Sequence, residues 1–256
     1  MKFRVCKDPV MLNQWHPICS TDSSLPNSVN KTMLLGENIL FRFTNTKAAE
    51  VWITKERSKK FLPTKISYGF LWTSLGTPPD VLFSFPEYHE PDRRNVSTGA
   101  FGVKISAGRV IENFLDMGHF PYVHTGILGE EPHTEVKEYD VEISRKKDEI
   151  VATKCRFYQP KAAVASNEGN DVDYIYRVPH INCAILYKTS PVNLNRLDAI
   201  VIFVQPMAEE HVCAHSGMCI IDDASNDQEI RLFQQTIFGQ DKPILENQHP
   251  RKLPLS

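Results

Sequence analysis

With 256 residues, 41% hydrophobic and 23% charged, the chain is long enough to bury its own core and is composed like a globular protein, not a disordered or fibrous one. Lys plus Arg (29) nearly balances Asp plus Glu (31), which excludes a basic nucleic-acid stripe and an acidic tail and favours a small neutral or weakly polar ligand. The opening MKFRVCKDPVMLNQW carries no apolar secretion segment and no later stretch approaches about 18 apolar residues, so the expectation is a cytoplasmic protein with neither membrane nor nucleic acid as partner.

In chain order, residues 30–76 read as strands and turns: LLGENILFRF, AEVWIT, a polar connection KERSKKFLPTK, then ISYGFLWTSLG. The Pro-rich acidic stretch after it, TPPD and FPEYHEPDRR, marks a domain boundary near residue 80, giving units 1–80 and 81–256. RVIENFLDMGHF (109–120) has helical periodicity, with Pro121 predicted to end or bend the helix. Six strand-like runs follow: EVKEYDVEIS, EIVATKCRFY, DVDYIYRV, NCAILYKTS, DAIVIFVQP and HVCAHSGMCII, spaced as in a meandering antiparallel sheet. A second helix over 226–240 starts at Asn226 or Asp227 and closes near Gly239. Helix, long sheet, helix is an α+β layout.

The six cysteines form no Cys-x-x-Cys pair and read as reduced thiols. Cys213-Ala-His215 has the spacing of half a Rieske cluster site, but no Cys-x-x-His accompanies it. The alternating pattern of CAHSGMCII makes both residues members of a strand without metal.

The chemistry concentrates in Asn113-Phe-Leu-Asp116-Met-Gly-His119-Phe-Pro-Tyr-Val-His124. On a helix, Asp116 and His119 face each other, so the carboxylate can take one ring proton and leave the other nitrogen free for a metal. His119 and His124 would point about 140° apart on an unbroken helix, and a break at Pro121 lets them converge. Two imidazoles lack only a carboxylate to complete the facial triad of a non-haem iron site. By spacing, Asp241 past the second helix competes for that role with Asp222, Asp223 and Asp227. A hydrogen-bonded polar cluster accounts for the same residues, and a zinc hydrolase would suit the same donors.

These residues resemble the Rieske non-haem iron oxygenases, whose catalytic helix reads Asn-x-x-Asp-x-x-His-x-x-x-x-His, here Asn113, Asp116, His119 and His124. The family's later Phe-x-x-Asp-Lys-x-x-x-Glu-x-Gln pattern is matched by Phe238, Asp241, Lys242, Glu246 and Gln248, so the resemblance makes Asp241 the third iron ligand. NQWHP (13–17), LLG (34–36) and YGFLW (68–72) are similar to scaffold strands of the family's N-terminal Rieske domain. The segment between Phe43 and Tyr68, where the cluster loops belong, holds neither Cys nor His.

The resemblance therefore implies a helix-grip (START-like) catalytic domain of antiparallel sheet and flanking helices, preceded by a small β remnant of a Rieske domain with no iron–sulfur cluster. EPDRR, IENFLDMGHFPYVHTGILGEEP, DYIYR, AILYKT and FQQTIFGQD are similar to the cluster-less catalytic subunits of bacterial methylxanthine N-demethylases. That implies Fe(2+), O2 as co-substrate, and monooxygenation of an N7-methyl carbon to a hydroxymethyl group that leaves as formaldehyde. It also implies NAD(P)H electrons delivered by a Rieske-containing reductase, through Asp116, to a trimer-based oligomer with homologous or accessory subunits. Asn113 and Asp116 are the expected catalytic residues. Phe114, Leu115, Tyr174, Tyr176, Phe203 and Gln234 are the expected substrate-binding residues, with Gln234 and Asn113 placed to hydrogen-bond a purine carbonyl. A non-catalytic scaffold subunit is the remaining alternative.

Overall fold

The computed structural model describes residues 3–23, 27–45, 48–55, 58–161, 163–164 and 168–254. A one-turn helix α1 (Pro9–Leu12) is capped by Asp8, whose carboxylate accepts the Val10 N–H. Seven strands follow, β1 (His16–Ser20), β2 (Asn30–Leu34), β3 (Glu37–Asn45), β4 (Ala48–Lys55), β5 (Ser58–Phe61), β6 (Thr64–Ser67) and β7 (Phe70–Thr73). They form two antiparallel sheets, β1-β7-β6 and β2-β3-β4-β5. Leu35 and Gly36 join β2 to β3 with both φ angles positive, the two-residue hairpin geometry that matches strand twist. Their N–H groups donate to Pro206 and Met207 carbonyls, which pins this hairpin to the main sheet.

The expected polar connection KERSKKFLPTK contains β5, which pairs with β4 and sets the Lys59 ammonium 4.5 Å over the Trp52 ring. All four β5 residues are exposed, so no period-2 alternation announces the strand, and lysines suit an unpaired sheet edge.

The rest of the chain comprises β8 (Arg94–Val103), α2 (Ala107–Leu115), α3 (Phe120–Val123), β9 (Asp140–Ser144), β10 (Glu149–Gln159), β11 (Asn170–His180), β12 (Cys183–Thr189), β13 (Leu197–Ala208), β14 (His211–Ile220) and α4 (Asp227–Asn247). The strands make one seven-stranded antiparallel sheet, β8-β14-β13-β12-β11-β10-β9. The six predicted runs are β9 to β14, with β9 shorter than EVKEYDVEIS. β8 escaped sequence reading because RNVSTGAFGV is glycine-bearing and polar. It is a strand because β14 pairs along its length.

Helix α4 lies along β8, with Arg231 and Gln235 donating to the carbonyls of Ser97 and Thr98 and Phe238 stacked on Phe101 at 4.2 Å. Asn226 opens it with a capping box shared with Glu229. Closure near Gly239 was expected. Instead α4 runs 21 residues, through Gly239 and Pro243, so Asp241 is inside the helix and not beyond it. A proline there loses one helical hydrogen bond, but Lys242 donates to the Gly102 carbonyl, Glu246 accepts from Lys104 N–H, and Leu245 is buried, which keeps the last turns on the sheet.

The sheet buries both faces. On one, Tyr174, Tyr176, Leu186, Ile200 and Met218 pack beneath α2 and α4. On the other, Cys183, Ile185, Val201 and Phe203 meet Trp15, Phe70, Trp72 and Phe85 from the first third of the chain and the segment after it. The result is the α+β layout expected from the residue pattern, in the helix-grip form that the family resemblance implied.

Candidate metal centre and the cavity beside it

The segment carrying the histidines does not break where Pro121 predicted. Helix α2 stops at Leu115, and Asp116 is its C-cap residue with extended backbone (φ −81°, ψ 128°). Asp116 Oδ1 accepts the Gly118 N–H at 2.9 Å, a local bond that Asp side chains form in competition with helix continuation. Pro121 instead lies in the first turn of α3, where a missing N–H costs nothing. His119 and His124 flank that single turn as its N-cap and C-cap, which brings their Nε2 atoms within 3.2 Å.

From α4, Asp241 Oδ1 comes 3.0 Å from His124 Nε2 and 3.4 Å from His119 Nε2. The outer nitrogens are also held: His119 Nδ1 donates to Asp116 Oδ2 at 2.9 Å and His124 Nδ1 donates to Gln240 Oε1 at 2.8 Å. Asn113 Nδ2 reaches Asp241 Oδ1 at 3.4 Å. Asp222 is committed to the Ala224 and Ser225 N–H groups and Asp227 to Arg94, so neither competes for the site.

The donor chemistry fits a cation. With both Nδ1 protons engaged, two Nε2 lone pairs and a carboxylate oxygen converge on one point, an arrangement that repels itself unless something positive lies between. Burial opposes charge on His119, yet the carboxylates of Asp116 and Asp241 outweigh it and push its pKa up to about 9. Burial likewise works against the Asp241 charge, but the two imidazoles beside it hold its carboxyl below the usual range. The His119 hydrogen bond does the same for Asp116. Two imidazoles and one carboxylate on one side of a centre, the other side open, is the facial triad of non-haem Fe(II) oxygenases. Among the described residues, no other group of three His, Cys, Asp or Glu side chains is gathered closely enough to hold a metal.

The triad opens on a cavity between α4, α2 and the sheet. Asn113, Phe114, Tyr174, Tyr176 and Gln234 line it, as the sequence suggested. Leu115 does not; it packs into the apolar core under α2. Phe203 does not either, because strand alternation turns it to the opposite face while Ile200 and Ile202 face the cavity. Gln159, Lys188, Phe120 and Phe238 line the cavity and were missed. So was Gln240, whose only sequence signal is its place next to Asp241. Cys213 and His215 lie in β14, where His215 is buried, lowered by that burial to about 4, and hydrogen-bonded to Gln205.

Residues 103–256 match the family described as the vanillate O-demethylase oxygenase C-terminal domain. The chain belongs to this family of Rieske-type oxygenases. Such oxygenases are enzymes built on non-haem iron and O2, and the triad is where this member would hold the metal. A Pseudomonas sp. (strain TJI-51) relative named probable methylxanthine N7-demethylase NdmC is 44% identical over 246 residues, covering 96% of this chain and 86% of that one. Pseudomonas putida CBB5 NdmA superposes with a TM-score of 0.74 at 16% identity, over 95% of this chain and 84% of its own. Dicamba monooxygenase bound to 3,6-dichlorosalicylic acid does so at 0.74 and 14%, over 92% and 87%. At those identities the two structures show a common oxygenase fold. No helix among the described residues is long and apolar enough to cross a membrane.

Proposed function

We propose that this oxygenase is the Fe(2+)-dependent subunit of a methylxanthine N-demethylase, removing an N7-methyl group with O2 and electrons from a separate Rieske-bearing reductase. The observation that carries the reading is the triad His119, His124 and Asp241 opening directly onto an aromatic-walled cavity. The choice of substrate rests on the 44% identical relative named for that activity. Bound iron would supply the activation of O2. The overall change balances as N–CH3 + O2 + 2 electrons + 2 H+ giving N–CH2OH + H2O, after which the hydroxymethyl group leaves as formaldehyde and the ring nitrogen keeps a proton.

The chain's own residues orient and insulate this chemistry. Asp116 and Gln240 fix both imidazoles with Nε2 turned inward. Phe114, Phe120 and Phe238 give the cavity apolar walls that exclude water around the methyl carbon. Asp116 is half-exposed while His119 is largely covered, so the Asp116–His119 hydrogen bond links the protein surface to the metal position, where an external cluster could pass electrons. Residues 1–80 are then a Rieske-like unit without cluster ligands and 81–256 the catalytic unit. The separation of the small sheets from the seven-stranded sheet supports this division. A trimer-based, cytoplasmic assembly completes the proposal.

Anaerobic loading with Fe(2+), then addition of O2 and individual methylxanthines with and without a Rieske-bearing reductase, tests it by formaldehyde release. Formaldehyde equal to the N7-demethylated product, and only with the reductase, is expected. No formaldehyde from any methylxanthine with iron and reductase present would refute the activity. Full turnover with a chemical reductant, unmatched by any Rieske reductase, would refute the split electron supply.

A further inference from the structure

The cavity beside the triad contains polar groups that the triad does not use. Gln159 Oε1, Tyr174 Oη and Tyr176 Oη are buried and have no hydrogen-bond partner among the described residues, and all three residues, 1%, 2% and 3% exposed, line this one cavity. A buried hydroxyl or amide oxygen without a partner is destabilising and uncommon in native structures. Three on residues that line one cavity together with the triad point to a ligand that completes them. Among the described residues, the other buried side-chain atoms of this kind, on His16, Thr98, Ser106, Asn182 and His215, belong to residues that do not line this cavity.

A fourth polar group, already engaged within the protein unlike those three, lines the same cavity. Lys188, 3% exposed, also lines the cavity and stands directly opposite Tyr174 in the β11–β12 register, while Asp198 stands opposite Lys188 on β13. Burial lowers the Lys188 amine to about 8, with the Asp198 charge partly restoring it. Tyr174 and Tyr176 stack at 6.1 Å with an interplanar angle of 29°, two residues apart on β11 and therefore on one face of the sheet. Between this floor and the apolar walls the space suits a flat ring whose polar groups lie on its edge.

We propose that Gln159, Tyr174, Tyr176 and Lys188 form a substrate-reading floor that recognises the lactam edge of a planar heterocycle, a ring carbonyl beside an unmethylated ring N–H. The proposal rests on the functional reading above and specifies which members of that substrate class the cavity selects. The tyrosine hydroxyls and the Lys188 amine donate to ring carbonyl oxygens. Gln159 Oε1 can only accept, so it takes the ring N–H. A methyl group on that nitrogen removes the donor and leaves Gln159 Oε1 buried and unpaired, which is how hydrogen-bonding sites reject close analogues.

The test is a binding titration of the full chain with 7-methylxanthine, which keeps both lactam N–H groups, and caffeine, which has neither, alongside melting curves of the free protein. The unmodified chain is expected to bind 7-methylxanthine at least about tenfold more tightly than caffeine, the worth of roughly one good hydrogen bond. Gln159→Met, close in volume, should shrink that ratio about tenfold by weakening 7-methylxanthine alone. Tyr174→Phe should weaken both ligands, since both keep their carbonyls, yet leave the melting temperature of the free protein unchanged or higher, because the lost hydroxyl had no partner among the described residues. An unchanged ratio in Gln159→Met, or a lower melting temperature with unaltered affinity in Tyr174→Phe, would overturn the assignment while leaving the demethylase reading intact. If the unmodified chain neither binds a methylxanthine nor releases formaldehyde from one, the demethylase reading falls and the proposal falls with it.

Discussion

Gln240 and His124 are joined by a 2.8 Å hydrogen bond from His124 Nδ1 to Gln240 Oε1, and the next residue along α4, Asp241, touches the opposite nitrogen of the same ring at 3.0 Å. Two consecutive helix residues thus grip both edges of one imidazole, and the extension of α4 past Gly239 is what makes this possible. Gln240→Leu is expected to lower metal affinity about 10- to 100-fold, the usual effect of removing a ligand's outer partner. Competition titration against a chromophoric chelator measures it. Gln240→Glu, which keeps an acceptor at Nδ1, should retain most of the affinity. Equal affinity in Gln240→Leu and the parent chain would refute the role.

A substitution at Asp116 tests the proposed electron route apart from metal binding. Asp116→Asn keeps an oxygen to accept from His119 Nδ1, so metal content by elemental analysis should stay within about twofold of the parent chain. Reductase-supported formaldehyde release should nevertheless fall by about 100-fold or more if the exposed carboxylate is where the external cluster docks. A proportionate loss of metal and activity would instead mark Asp116 as an orienting residue alone.

The loop after His124 closes tightly on α3. A Cβ on Gly129 would lie 2.8 Å from Pro121 N and 3.0 Å from the Phe120 carbonyl carbon, backbone atoms that cannot rotate away. Gly129→Ala is therefore expected to shift the turn between His119 and His124 and cost about 1–3 kcal/mol of stability. Thermal unfolding with and without added Fe(2+) should show a lower melting temperature and a smaller stabilisation by metal.

Acidification should destabilise the fold independently of the metal. Burial lowers His16 and His215 to about 4, with the Met11 carbonyl partly offsetting it at His16. Folded-state values below the unfolded 6.5 mean that the native state binds fewer protons, so this stability is present above pH 6.5 and is lost as pH falls toward 4. Each group accounts for up to ~3 kcal/mol over that window. Denaturant midpoints measured from pH 7 to 4.5 should fall steadily. His215→Gln, less stable at pH 7, should show a shallower slope.

The sequence alone picked out His119 and His124 as candidate metal donors, because the residue types that bind iron and the spacing Asn-x-x-Asp-x-x-His-x-x-x-x-His are local properties of the chain. Asp241 came only from the family resemblance, and the tertiary structure brings the three together. The sequence also determined the six long strands of the main sheet, whose β-branched and aromatic runs are bounded by turn residues. Only the tertiary structure decided the rest. The break at Asp116 arises from a side-chain bond to Gly118, and α4 continues through Pro243 because Lys242, Leu245 and Glu246 find partners on the sheet and the segment after it. Period-2 alternation says that Phe203 and Ile202 face opposite ways but not which face meets the cavity. That choice is made by the layer packed against each face, α4 on one side and Trp72 and Phe70 on the other.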